Sequence, residues 1–332
     1  MSTAQLDPET EIAIDAVRAA ARVCRAVAAG HIDAVTKADD SPVTIADFAA
    51  QAVVMHRLQQ RLGAPTVVGE EAAEVLRGDE ALADAVVAAA RVSWPDATRD
   101  AVLAAIDAGA ARQADGRYWT LDPIDGTKGF LRRGQYAVCL AWVEGASPLR
   151  GVLACPNLSR AADGSPAQVD PSGVVFATDG VAPVVVTGID DDRREHLPST
   201  PAAIEGALVI THSVESGHTR IDNVDEVVRR LGRAYAAMPS DSQAKYGLVA
   251  RGQAHAYLRI PTNRTRVEAV WDHAAGTAIA SRAGMRVTDL RGAVFDFSSP
   301  AGLRHNFGIL CAHPEIHGAL VEAIAALGLA DA

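Results

Sequence analysis

The chain has 332 residues, and its 31 basic and 41 acidic side chains leave a net charge of −10 with histidine neutral. Hydrophobic residues make up 49% and charged residues 22%, which supplies a full core and excludes disorder or a coiled coil as the main state. The acidic balance argues against a nucleic-acid polymer as partner, because such affinity rests on neutralising phosphates with Lys and Arg, yet it leaves room for a small anion where local positive charge is supplied.

The first twenty residues lack a basic segment followed by an apolar one, and no window approaches 18 uninterrupted apolar residues, so neither a secretory signal nor a membrane span is expected. Four scattered cysteines (Cys24, Cys139, Cys155, Cys311) have no paired spacing and read as reduced, buried residues of a cytoplasmic protein. Ile14, Val17, Ala21, Cys24 and Ala28 recur at helical spacing over 10–29, with Gly30 as the stop. A second helix is predicted from Thr44, where Thr44-x-x-Asp47 has the form of a capping box; its buried stripe is Phe48, Ala52, Met55, Leu58 and Leu62, ended by Gly63. A strand over 66–68 runs into Gly69-Glu70-Glu71, and Ala-rich helices fill 80–91 and 96–113. The strand 118–121 leads directly into Asp122-Pro-Ile-Asp-Gly-Thr127. Strands are expected at 137–143, 151–154, 174–177 and 183–187, while 159–205, rich in Pro, Asp, Ser and Gly, reads as the loosest stretch. From Ala207 onward, strands at 207–211, 255–260, 285–289 and 307–312 alternate with helices near 223–233, 241–251, 271–283 and 314–327, which favours an α/β layer. Length predicts about two domains, at roughly 150 residues each, divided into 1–206 and 207–332.

Five acids stand at strand-to-helix junctions or helix starts: Asp47, Glu70, Asp122, Asp125 and Asp272. Any one alone reads as a helix N-cap or a solvated charge. Together they would repel one another, and such a cluster calls for cations. With no thiolate pair and no His pair at ligand spacing, the donors are hard oxygens, which selects Mg²⁺ or Mn²⁺ over zinc. In Asp122-Pro-Ile-Asp125 the Ile124 carbonyl can share a side with both carboxylates, and Gly126 and Thr127 follow with backbone N–H groups suited to phosphate. Two rivals fail on residues: a haloacid-dehalogenase-type phosphatase needs an Asp nucleophile where Pro123 stands, and no GxxxxGK[ST] loop is present.

The chain resembles the lithium-sensitive, Mg²⁺-dependent phosphomonoesterase superfamily of inositol monophosphatases, fructose-1,6-bisphosphatases and bisphosphate nucleotidases. It carries the pattern in order: Asp47, Gly69-Glu70-Glu71, Asp122-Pro-Ile-Asp-Gly-Thr-Lys-Gly-Phe130 and Trp271-Asp-His-Ala-Ala-Gly276. The stretches Asp40-Ser-Pro-Val-Thr44, Ser213-Val-Glu-Ser-Gly-His218, Asp241-Ser-Gln-Ala-Lys-Tyr246 and Tyr257-Leu-Arg259 narrow the likeness to the 3′(2′),5′-bisphosphate nucleotidase branch. A glycine-rich turn expected in the 160–205 region is replaced by Asp179-Gly-Val-Ala-Pro183.

The resemblance implies alternating helix and sheet layers, α+β in the N-terminal part and α/β in the C-terminal part, with the active site between them. It assigns Glu70, Asp122, Ile124, Asp125 and Asp272 to two or three Mg²⁺ ions. Asp47 and Thr127 then act on the attacking water, and Gly126 and Thr127 bind phosphate. His218, Ser242, Lys245 and Arg259 match the branch's nucleotide-contacting residues. The expected reaction removes the 3′-phosphate from 3′-phosphoadenosine 5′-phosphate, and the 5′-phosphosulfate analogue is a further expected substrate. The alternatives are an inositol or sugar phosphatase on the same scaffold and a non-catalytic phosphate-binding regulator. A monomer or homodimer is expected.

Overall fold

The computed structural model describes residues 5–30, 34–36, 42–111, 114–215, 221–263, 265 and 267–330. Helix α1 (Pro8–Ala29) starts where the Asp7 carboxylate accepts the Glu9 and Thr10 N–H groups. A small antiparallel pair, β1 (Ala34–Thr36) and β2 (Pro42–Thr44), feeds α2 (Ile45–Leu62). Then come β3 (Val67–Gly69), α3 (Glu74–Gly78), α4 (Glu80–Ala90) and α5 (Arg99–Ala108). The last is shorter than the helix expected over 96–113, because Thr98 caps its start and Gly109 closes its end. Strand β4 (Arg117–Asp125) and the short α6 (Thr127–Leu131) precede β5 (Ala137–Glu144), β6 (Ser147–Cys155), β7 (Val174–Thr178), β8 (Val185–Thr187) and β9 (Glu195–His196). These strands form a seven-stranded sheet in the order β3-β4-β5-β6-β7-β8-β9, antiparallel except for β3 beside β4.

The second half contains β10 (Leu208–His212), α7 (Ile221–Arg229), β11 (Tyr235–Pro239), α8 (Ala244–Ala250), β12 (Ala256–Arg259), α9 (Ala274–Arg282), β13 (Arg286–Thr288), β14 (Ile309–Ala312) and α10 (Pro314–Ala326). Its five-stranded sheet runs β11-β10-β12-β14-β13, parallel across β11, β10 and β12 and antiparallel beyond.

Among the described residues three hydrophobic cores tie five layers together, the middle one taking in both sheets and the helices between them. The two-residue period of the strands decides which core each side chain joins. On β5, Val138 and Leu140 enter the core shared with α1, α2, α4 and α5, while Cys139, Ala141 and Val143 enter the middle core. The middle core also takes Tyr246 and Leu248 of α8, Ile279 of α9, and Tyr257 and Ile309 of the five-stranded sheet. Leu258 and Leu310, on the opposite face of that sheet, pack with Val224 of α7 and Leu320 of α10. Helices α8 and α9 therefore lie between the two sheets and bring β4, α8 and β12 to one cleft.

Close packing of α8 on α9 requires a glycine. A Cβ on Gly276 would overlap the Tyr246 ring, and the Gly276 N–H also donates to Gln243 Oε1 at 2.9 Å. Overpacking at this position should cost about 1–3 kcal/mol. Gly276→Ala is expected to lower the melting temperature of the chelated protein by several degrees; an unchanged midpoint would remove the packing argument.

The segment 159–205 is not loose. Arg18 of α1 donates to the Gly188 carbonyl at 3.0 Å and pairs with Asp192 at 2.6 Å, and Arg22 and Arg25 both reach Asp190. These ion pairs join residues more than 160 positions apart. Local composition carries no trace of such partners.

Candidate active site

The cleft, with a volume of about 530 Å³, is lined by residues from β4, α6, α8, β12 and neighbouring loops, among them Glu70 just after β3. Strand β4 does not stop at Leu121 but continues to Asp125, with its register against β5 shifting between Asp122 and Asp125. That irregularity lets two acids three positions apart serve one site. The Asp122 carboxylate accepts the Ile124 N–H at 3.1 Å, which tightens the turn. Gly126 follows at φ 85°, a left-handed conformation suited to glycine, against Ser242, itself at φ 63°. The Thr127 hydroxyl donates to the Ile124 carbonyl at 3.2 Å. Helix α6 has only five residues, so any phosphate cradle here rests on individual N–H groups rather than on a long helix dipole.

Asp47 lies in the first turn of α2, where its carboxylate accepts the Thr44 N–H at 2.8 Å and the Thr44 hydroxyl at 2.6 Å. The expected capping box is present, with Asp in the acidic position. The same buried carboxylate also acts on the acid cluster, as one of the charges that push Asp122 upward.

Carboxylate oxygens of Asp122, Asp125 and Asp272 lie within 4.8 Å of one another. Burial holds the Asp122 carboxyl well above the usual range, and the negative charges of Glu70, Asp125, Asp272 and Asp47 push it further. Burial likewise raises Asp125 to about 6, although Lys245 and the Gln243 N–H pull it down. Asp272 is pushed up to about 7 by burial, with His273 opposing and Asp125, Glu70 and Glu268 adding. An oxygen-only set with this much mutual repulsion fits a hard divalent cation.

Two buried cations face the same cleft. Lys245 is 4% exposed; its ammonium donates to the Ser240 carbonyl at 3.2 Å and lies 5.1 Å from the Tyr257 ring centroid. Burial draws it down to about 8, against the attraction of Asp125 and Asp241. Arg259, 8% exposed at the end of β12, pairs with Glu268 at 3.3 Å. Burial opposes its charge, but Glu268, Tyr257, Asp272 and Asp125 outweigh that and hold the guanidinium above its ordinary value. Ser242 lines the cleft too, its hydroxyl accepting the Ala244 N–H at 3.1 Å. His218 lies outside the described residues.

The cleft thus brings together Glu70, Asp122, Ile124, Asp125, Gly126, Thr127, Ser242, Lys245, Arg259 and Asp272 from the sequence reading, with Asp47 behind them. Sequence reasoning missed Gln243, whose N–H donates to Asp125 while its side chain donates to the Trp271 carbonyl at 2.8 Å and accepts from Gly276. It also left Asp241 and Glu215 unassigned, although both sit inside stretches that carried the resemblance. In the structure both pair with Arg132 at the rim. Glu268 gave no signal, since it lies in an irregular turn outside every periodic segment.

The sequence pattern of the inositol monophosphatase family matches residues 5–328. A 3′(2′),5′-bisphosphate nucleotidase of Schizosaccharomyces pombe is 34% identical over 98% of this chain and 97% of its own length. One from Oryza sativa is 36% identical over 95% and 93%. Among solved structures, the IMPase of Thermotoga maritima superposes with a TM-score of 0.63 at 17% identity, covering 97% of this chain and 98% of that one. CysQ from Bacteroides thetaiotaomicron, a bacterial member of the inositol monophosphatase family, gives 0.59 at 21%, covering 92% and 97%. Fold, acid cluster and sequence matches together define a phosphatase. The chain belongs to the inositol monophosphatase family.

Proposed function

We propose that this chain is a Mg²⁺-dependent phosphatase that removes the 3′-phosphate of 3′-phosphoadenosine 5′-phosphate, giving AMP and phosphate, and that it also accepts the 5′-phosphosulfate analogue. The observation that carries this reading is the pair of buried cations, Lys245 and Arg259, lining one cleft with the acid cluster. A scissile phosphate neutralised by divalent ions held at the acids would still leave Lys245 and Arg259 facing the cleft, where a second anionic group on the substrate can meet them. An inositol monophosphate has no such group. The relatives named for bisphosphate nucleotides support the same choice.

In this reading Glu70, Asp122, the Ile124 carbonyl, Asp125 and Asp272 hold the divalent ions. When bound, these supply charge neutralisation for the phosphoryl group and a more acidic water. The chain's own part is positioning and proton handling, as phosphoryl transfer leaves little covalent work to a protein. Water attacks phosphorus in line as the bond to the 3′-oxygen breaks; the Thr127 hydroxyl, turned from the Ile124 carbonyl, passes the water's proton toward Asp47, and the departing alkoxide takes a proton from solvent water to become the 3′-hydroxyl. Asp47 suits this role because it is buried beside the acids and held in place by Thr44. The N–H groups of Gly126 and Thr127 steady the phosphate, while Ser242, Lys245, Arg259 and His218 select the nucleotide.

Phosphate release measured with and without Mg²⁺ tests the reading. Release from the bisphosphate nucleotide should depend on Mg²⁺ and exceed that from inositol 1-phosphate by at least about tenfold in kcat/KM, the worth of one charge-assisted hydrogen bond. Equal or better turnover of inositol 1-phosphate would assign the chain to the inositol side of its family. Nucleotide binding without any Mg²⁺-dependent release would make it a binding protein.

A further inference from the structure

Glu268 has no counterpart in the reaction described above, yet its buried carboxylate stands between Arg259 and His273. Its side chain is 6% exposed. One carboxylate oxygen pairs with Arg259 Nη2 at 3.3 Å, and the other lies 3.8 Å from His273 Nε2. On its other side, His273 Nδ1 meets the Tyr246 hydroxyl at 3.1 Å. His273 immediately follows Asp272, so Glu268 connects the cation on β12 to the segment that carries a metal-ligating acid.

The charge balance explains why such a residue is needed. Arg259 is buried beside Asp272 and Asp125, both of which attract it. Without a partner of its own, a buried guanidinium attracted by those acids would turn onto them and compete there with divalent ions. A carboxylate paired with it at 3.3 Å offsets that pull and sets the angle of the planar guanidinium, which matters because an anionic group is gripped best through two parallel N–H bonds. Glu268, Asp272 and His273 lie close enough together to suggest another cation site. Arg259 already supplies that positive charge.

We infer that Glu268 is a positioning residue for substrate discrimination: by pairing with Arg259 it holds the guanidinium clear of the metal-ligating acids and oriented toward the second anionic group of the substrate. This rests on the proposed function, which gives Arg259 that group to bind. Glu268 touches neither substrate nor metal in this role and acts through Arg259.

The test compares kcat/KM for 3′-phosphoadenosine 5′-phosphate with kcat/KM for p-nitrophenyl phosphate, which carries no second anionic group. Glu268→Gln keeps the shape and removes the charge. It should lower the ratio of the two values by about tenfold, mainly through KM of the bisphosphate, the pattern of a lost binding contact. In an Arg259→Met background the same substitution should change the ratio by less than about twofold, because residues acting as a unit are not additive. Besides loss of the substrate role of Arg259 itself, three results would overturn the inference. The first is a Glu268→Gln enzyme that slows both substrates equally. The second is a ratio that still falls about tenfold in the Arg259→Met background. The third is a silent Glu268→Gln beside an Arg259→Met that does lower the ratio. That third result leaves the proposed function standing. An Arg259→Met enzyme with an unchanged ratio instead defeats the substrate role of Arg259 and this inference with it. If Glu268→Gln does not fold, Glu268→Asp withdraws the charge by one methylene, and the same ratio, alone and with Arg259→Met, decides in the same way.

Discussion

Replacing Asp122 by Asn should give a protein that melts higher than the parent under chelation and yet releases almost no phosphate. Asp122 is 2% exposed, and burial and four neighbouring acids all disfavour its charged form. Asn is close to an isostere, and its side-chain oxygen can still accept the Ile124 N–H that Asp122 accepts at 3.1 Å. The substitution therefore removes a buried like-charge repulsion while keeping the local hydrogen bond. Catalysis needs the opposite property, a concentrated negative site for divalent cations. Losing one carboxylate from that donor set should reduce kcat/KM by at least about a thousandfold, the scale on which single groups in preorganised electrostatic sites act. The two readouts are scanning fluorimetry in EDTA and Mg²⁺-dependent phosphate release. The expected pattern is a midpoint raised by a few degrees in EDTA, with a smaller upward shift on adding Mg²⁺ than the parent shows. A variant that melts lower in EDTA would show that the Asp122 charge is satisfied within the protein, and one that still turns over would remove Asp122 from the metal site.

What the sequence revealed and what it concealed divide along a physical line. Features fixed by neighbours within one helical turn or one strand were legible: the Thr44–Asp47 capping box, the stripe on α2, and the run from a strand into Asp122 and Asp125. Features set by partners far along the chain were not. Strand β11 escaped notice because its five residues are largely exposed, end in Pro239 and form a strand only through parallel pairing with β10. The ordering of 159–205 depends on arginines of α1. The shared middle core, which places α8 and α9 between the sheets, follows from small residues such as Gly276, whose meaning appears only when the Tyr246 ring is seen against it. In the site, acids were recognisable because their order and flanks recur as a pattern, whereas Gln243 and Glu268 act by crossing between segments. A polar side chain that joins two loops leaves no periodicity behind.

The metal-free protein should also show an unusual pH profile. Unfolded carboxylates titrate near about 3.9, whereas burial and mutual repulsion raise Asp125 to about 6 and Asp272 to about 7, and hold Asp122 well above the usual range. Between the unfolded and folded values, the native state binds more protons than the unfolded chain, so stability falls as pH rises. The contribution of these groups is fully present below about pH 4 and is lost as pH climbs through about 6 to 7 and beyond. Lys245 acts in a separate window. Its folded value, about 8, lies below the roughly 10.4 of an unfolded lysine, so there the unfolded chain binds more protons and stability recovers as pH rises. Other titrating groups overlie both trends, and subtraction removes them. The melting-temperature difference in EDTA between the Asp122→Asn variant and the parent should be smallest near pH 4 and grow steadily toward pH 7, since only the parent has a carboxyl at this position whose proton the unfolded chain releases and the folded state retains. With saturating Mg²⁺ the trend should reverse, because cations bind the deprotonated acids and favour the native state more as pH rises. A difference in EDTA that stays flat across this range would mean that the acids do not repel one another in the folded protein, and the case for a cation-demanding cluster would go with it.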